Sequence, residues 1–119
     1  MNLMIKFTIE GQLPALNEVI AAAKQHFGGY SKMKKDATKK VILSSLTIPK
    51  IHNSPHFDIV YLCKNKRKDP DNVAVAKKFI FDGLVDGGNM DGDGWKQNIT
   101  WEESFGVDKV NPRIIVTIT

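Results

Sequence analysis

Asp69 and Asp71 flank Pro70 in the segment Lys68-Asp69-Pro70-Asp71-Asn72. Proline fixes its own φ and biases the residue before it toward an extended backbone, so the two carboxylates are held in a restricted relative geometry. Carboxylates kept close together repel one another, and the repulsion is tolerated when a divalent cation or a shared proton compensates it. A lone Asp or Asn before a helix ordinarily caps it, and Asp71 or Asn72 suits that role. A cap needs one such residue, however, and here three stand in four positions, directly behind the basic run Lys64-Asn65-Lys66-Arg67-Lys68.

A lysine pair and a second acidic segment follow. With a helix over 73–85, Lys78 lies seven positions after Asp71 and, at 100° per residue, returns nearly to the same face, with Asp82 one turn beyond. Lys77 points instead among Val73, Ile80 and Leu84, where only a snorkelling stem fits, which favours Lys78 as the working cation. Ordinary i,i+4 pairing of Lys78 with Asp82 is the competing explanation. Downstream, Gly87-Gly88-Asn89-Met90-Asp91-Gly92-Asp93-Gly94-Trp95 is a glycine-punctuated turn carrying two more carboxylates. Asp91, Asp93 and Glu102 imitate the spacing of an EF-hand loop, but its required glycine falls on Lys96 and its fifth position on Trp95, so a calcium loop is excluded.

These groups need a framework. Over 3–9, Leu3, Ile5, Phe7 and Ile9 alternate with Met4, Lys6 and Thr8, which predicts a strand. Helical spacing over 13–27 places Leu16, Val19, Ile20 and Ala23 on one stripe, closed by Gly28-Gly29. A second helix is predicted through 31–46, opening with Lys32, Lys34, Lys35, Lys39 and Lys40, five lysines in nine residues that form either a solvated or a phosphate-binding face. The β-branched and aromatic run 57–63 predicts a central strand. The helix over 73–85 is apolar around most of its circumference and is expected to be buried, in part by a second subunit. Final strands are predicted over 96–102 and 113–119. The order β-α-α-β-α-β-β predicts an α+β fold, one domain over 1–119 with helices packed on a mixed β-sheet.

Composition bounds the function. The 119 residues leave no room for separate catalytic and binding domains. The 17 Lys+Arg against 13 Asp+Glu give a net charge of +4, which favours a polyanionic partner. Cys63 is the only cysteine, which rules out an intrachain disulfide and points to a reducing cytoplasm. The sequence shows neither a signal-peptide pattern nor an apolar run long enough for a membrane span.

Taken together, Lys66-Arg67-Lys68-Asp69-Pro70-Asp71-Asn72, Lys78 with Asp82-Gly83-Leu84, and Met90-Asp91-Gly92-Asp93-Gly94-Trp95 resemble the RusA family of Holliday junction resolvases, common in prophages. The resemblance covers about 64–95. It implies that Asp69, Asp71 and Asp93 are the catalytic aspartates, with Asn72 beside them and a catalytic lysine. The lysine stands farther from Asp71 than in the family pattern, so Lys77 and Lys78 compete, and the distance to Asp82-Gly83-Leu84 favours Lys78. The family's adjacent Asp-Asp pair is interrupted by Gly92, and Asp91 either supplies the missing carboxylate or shapes the loop.

The resemblance further implies a RusA-like homodimer that resolves four-way junctions and other branched DNA by paired nicks. Mg²⁺, with Mn²⁺ as a substitute, would be held by Asp69, Asp71 and Asp93 with Asp91 as a further candidate, since hard cations take carboxylate oxygens and phosphate together. Lys32, Lys34, Lys35, Lys39, Lys40, Lys64, Lys66, Arg67, Lys68, Asn72 and Lys77 are the expected DNA contacts, which position the substrate without reading sequence. The alternative from another class is a non-catalytic phage-type DNA-binding protein whose aspartates only cap and turn. A carboxylate-pair hydrolase acting on sugars is disfavoured by the lack of aromatic platforms near Asp69.

Overall fold

Alternate burial along three apolar stretches builds the sheet on which everything else rests. The computed structural model describes residues 4–25 and 28–119. Leu3 and Phe27, expected at the ends of the first strand and first helix, lie outside the described residues. Ile5, Phe7 and Ile9 point inward from β1 (Ile5–Glu10), Phe57, Ile59 and Tyr61 from β2 (His56–Cys63), and Ile114, Val116 and Ile118 from β4 (Arg113–Ile118). The fourth strand, β3 (Thr100–Val107), lies at an edge in the order β1-β4-β2-β3. β4 runs antiparallel to both β1 and β2, whereas β3 runs parallel to β2, so the sheet is mixed. A parallel pair requires a long crossover, and the segment carrying the acidic and lysine residues supplies it.

The helices cover the inward face. They are α1 (Leu16–Ala23), α2 (Gly29–Ser44), a short helical turn α3 (Pro70–Val73) and α4 (Ala76–Asp86). Phe79, Ile80, Phe81 and Leu84 of α4 meet the sheet residues, while Ala37 and Val41 of α2 join the same core. The result is one compact α+β domain with three main helices on a four-stranded sheet.

Four local expectations are corrected. The helix predicted over 73–85 is divided: Lys77 N–H donates to the Ala74 carbonyl and Lys78 N–H to that of Val75, both at 3.1 Å, a tightened i,i−3 turn between α3 and α4. The β-branched Val73 and Val75 weaken regular helix there, and the tighter winding changes the phase relating Asp71 to Lys78. Gly28 and Gly29 do not close α1; Gly28 takes φ 81° as the left-handed link, and Gly29 begins α2. The strand expected over 96–102 starts later, because Trp95–Gln97 forms a 3₁₀ turn ended by Asn98 at φ 52°. Along α1, Ala22 is buried and Ile20 is 44% exposed, so the inner face is rotated away from the expected stripe.

The apolar circumference of α4 is buried, as expected, but its own chain does the burying: α2 covers one side and the sheet another. Gly83 marks the closest approach. A Cβ there would lie 2.6 Å from Val41 Cβ and 2.7 Å from Val41 Cγ1. Gly83→Ala is therefore expected to lower unfolding stability by about 1–3 kcal/mol, the usual range for overpacking; urea denaturation followed by circular dichroism measures it.

Candidate functional site

Asp69 occupies the N-cap position of α3, extended at φ −69° and ψ 151°, yet its side chain accepts no capping hydrogen bond. The helix start uses its backbone carbonyl instead, which accepts the N–H groups of Asn72 (3.0 Å) and Val73 (3.1 Å). Asp71 Oδ1 accepts only the adjacent Asn72 N–H, at 3.0 Å. Both residues are exposed, and among the described residues neither carboxylate is in an ion pair. Capping therefore accounts for the backbone of Asp69 but not for its charge.

The two lysines diverge. Lys77 runs toward the sheet edge, where its ammonium donates to Glu103 Oε1 at 2.9 Å and lies 5.0 Å from the centre of the Trp101 ring. Tyr61 Oη donates to the other Glu103 oxygen at 2.8 Å, and burial, reinforced by that carboxylate, pushes the Tyr61 phenol far above its ordinary range. Lys77 is thus the counter-ion of a half-buried acid, with its side chain 22% exposed. Lys78, 63% exposed, stands 3.1 Å from Asp82 Oδ1 and 4.0 Å from Asp93 Oδ2. Its pKa is raised chiefly by the Asp82 hydrogen bond and charge, with a smaller contribution from Asp93, so it remains an ammonium.

Asp82 is the pivot of this group. Its side chain is only 13% exposed, and its Oδ2, which forms no hydrogen bond, lies 3.6 Å from Lys34 Nζ of α2. The structure thus gathers Lys34, Lys78, Asp82 and Asp93 from two helices and a loop. Asp91 turns away to Lys50, 2.6 Å distant, whose ammonium holds the Asp91 carboxyl below the usual carboxylate range.

Asp69 and Asp71 stand at the start of α3, and Asp93 lies beside Lys78 on the flank of α4. Among the described residues, no group of three His, Cys, Asp or Glu side chains is arranged to hold a metal ion.

The expected DNA-contacting cations also separate. Lys35, Lys39, Lys64, Lys66 and Arg67 are exposed, and Lys32 is exposed beside Asp36 at 3.4 Å. Lys34 is committed to Asp82, Lys68 to Glu18 of α1, and Lys40 Nζ donates to the Gln12 carbonyl at 3.3 Å. Asn72 is half-buried at the turn. The pairing of Lys34 with Asp82 and the role of Glu103 were not singled out from the sequence. Lys34 is hidden within a uniform lysine run. Glu103 was legible, because it alternates with Trp101 and Phe105 on one strand face, and an acid among aromatics needs a cation.

No protein-family model matches the chain, and no curated protein is significantly similar to it. No helix among the described residues is long and apolar enough to cross a membrane.

The divergence of the lysines is testable. Lys77→Ala should destabilise the fold by about 1–3 kcal/mol, the usual cost of stranding a partly buried acid. Lys78→Ala should cost less, about 0.5–1 kcal/mol, because Lys34 still faces Asp82 when Lys78 is removed. Parallel thermal and urea unfolding of the two variants distinguishes them.

Proposed function

We propose that this chain is a divalent-metal-dependent endonuclease that nicks branched DNA, four-way junctions included, as a homodimer in a reducing cytoplasm. One observation carries the reading: the fold spends neither side-chain charge of the Asp69-Pro70-Asp71 segment, although both carboxylates sit behind the exposed cations Lys64, Lys66 and Arg67. Two exposed carboxylates one proline apart, in no ion pair among the described residues, are open to a cationic ligand.

The donor chemistry fits a hard cation, since Asp69 and Asp71 offer carboxylate oxygens. Asp69 and Asp71 would hold it. Asp93, 4.0 Å from Lys78, would be the third carboxylate. Mg²⁺, or Mn²⁺ in its place, supplies Lewis acidity at phosphorus and eases deprotonation of the attacking water.

The remaining work falls to the chain's own side chains. Lys78, kept protonated and aimed by Asp82, offers a fixed positive charge to the scissile phosphate as negative charge builds on it. Lys32, Lys35, Lys39, Lys64, Lys66 and Arg67 bind flanking phosphates, which makes affinity fall steeply with salt. Matched nicks in a two-fold junction call for two copies of the site. Because α4 is covered within its own chain, the edge strand β3, with Trp101, Phe105 and Val107 exposed, is the better surface for the second subunit.

The alternative is a non-catalytic DNA-binding protein, and one experiment separates the two. Incubation with a synthetic four-way junction should produce nicks with Mg²⁺ and none with EDTA. Asp71→Asn should abolish nicking while junction binding is equal or tighter, because one repulsive charge is lost. Cleavage by Asp71→Asn at the parental rate removes Asp71 from the mechanism, and metal-independent binding without nicks under any condition establishes the binding protein.

A further inference from the structure

Beside Asp93 opens a cleft of about 330 Å³ whose walls are mainly aromatic: Phe81 and Ile99 lie within it, Trp95 and Trp101 flank it, and Asp93 and Asn98 stand at its rim. Trp95 is fully exposed, so its indole contributes nothing to the core. The turn that presents it is nonetheless well tied. Gly94 N–H donates to Gln97 Oε1 at 3.0 Å, Asn98 N–H to the Trp95 carbonyl at 3.1 Å, and Ser54 N–H to the Gln97 carbonyl at 3.2 Å. Asn98 holds the left-handed conformation, and its Nδ2 donates to Ser54 Oγ at 3.3 Å. A large apolar ring held out by an anchored turn, and unused by the fold, is placed to meet a ligand.

The surroundings define that ligand. Trp101 is about half exposed, has the Lys77 ammonium near its ring and meets Phe81 with ring centres 5.8 Å apart. Lys78 stands 4.0 Å from Asp93, and Lys96 is exposed on the turn itself. A flat apolar platform with an amide at its rim and ammonium groups around it suits a planar ring that has a polar edge and an attached anion. Lys77 and Lys78 have acidic partners, but Lys96 is in no ion pair among the described residues, and an apolar segment of a second subunit would leave it unanswered. A base within a duplex presents no free face, whereas an unpaired base does.

We propose that this cleft binds an unpaired nucleobase of DNA, stacked on Trp95, with its phosphate toward Lys78. The idea rests on the branched-DNA reading, because an open base is what a branch point offers and a duplex does not. Asp93 joins the cleft to Lys78, so the stacked nucleotide would lie next to the phosphate that Lys78 meets. Base–aromatic stacking tolerates any sequence, since every base has a π face.

The test uses the whole chain in EDTA, with single-stranded oligodeoxythymidylate and a duplex of equal length as probes, read by tryptophan fluorescence and by filter binding. The parent should prefer the single strand, with its fluorescence quenched on binding. Trp95→Ala should lose most of that quenching and weaken single-strand affinity roughly tenfold, within the range for one stacked base, while duplex affinity is unchanged. Trp95→Phe should restore most of the loss. Single-strand affinity unaltered in Trp95→Ala overturns the proposal, as does a parent that binds neither probe. A change in sedimentation of Trp95→Ala with DNA binding intact also overturns it, showing the cleft to be a subunit contact. Because no metal is present, a parent that stacks a base on Trp95 yet never nicks a junction sinks the nuclease reading and leaves the cleft standing.

Discussion

Helix α4 has almost no freedom of rotation, and the arrangement of charged groups depends on that. Phe79, Ile80, Phe81 and Leu84 are buried against the core, and Gly83 lies where even a methyl group would strike Val41. Burying each large apolar side chain is worth about 1.5–3 kcal/mol, so turning the helix to another phase would forfeit several such contributions at once. With the phase fixed, Lys77 and Lys78 must leave in different directions, one toward Glu103 on the sheet and the other toward Asp93 on the loop. Consecutive residues of the same type acquire separate roles through packing alone.

Asp82 extends this constraint to a second helix. A carboxylate with little solvent exposure requires cations nearby, and it has one from α4 itself and one from α2. The bridge to Lys34 ties the lysine-bearing helix to the site, leaving Lys35 and Lys39 facing solvent. Around Lys78 the charges balance, with two ammonium groups against Asp82 and Asp93. At Asp69 and Asp71 they do not, for no ion pair within the described residues answers either carboxylate.

Much of the framework was legible from periodicity, because strong alternation and strong helical spacing report burial directly. The strands around Ile5, Phe57 and Ile114 and the main helices are found where their patterns place them. Less legible was what depends on hydrogen-bond geometry or distant packing. The break between α3 and α4 arises from two i,i−3 bonds after a valine pair, and the delayed start of β3 from the Gln97 side chain closing a turn on Gly94. At the candidate site, the divergence of Lys77 and Lys78 was legible from helical phase, because consecutive residues on α4 leave in different directions. The placement of Asp93 beside Lys78 was not, because loop position is set by tertiary contacts that leave no periodic trace.

Strand β3 links the two halves of the proposed function. Among the described residues its one sheet neighbour is β2, so its outer side is an edge, a surface that proteins usually guard with charge or cover with another element. Its acids are engaged inward along the strand pair: Glu102 Oε1 lies 3.1 Å from His56 Nε2, and Glu103 holds Lys77 and Tyr61. That leaves the apolar members Trp101, Phe105 and Val107 as the prominent features of the edge. Phe105 stacks on Tyr61 with centres 5.1 Å apart, while Trp101 forms a wall of the cleft beside Asp93. Anything that docks along β3 therefore bears on the cleft wall and on the counter-ion of Lys77 together, which couples assembly at the sheet edge to the shape of the site without any movement of α4.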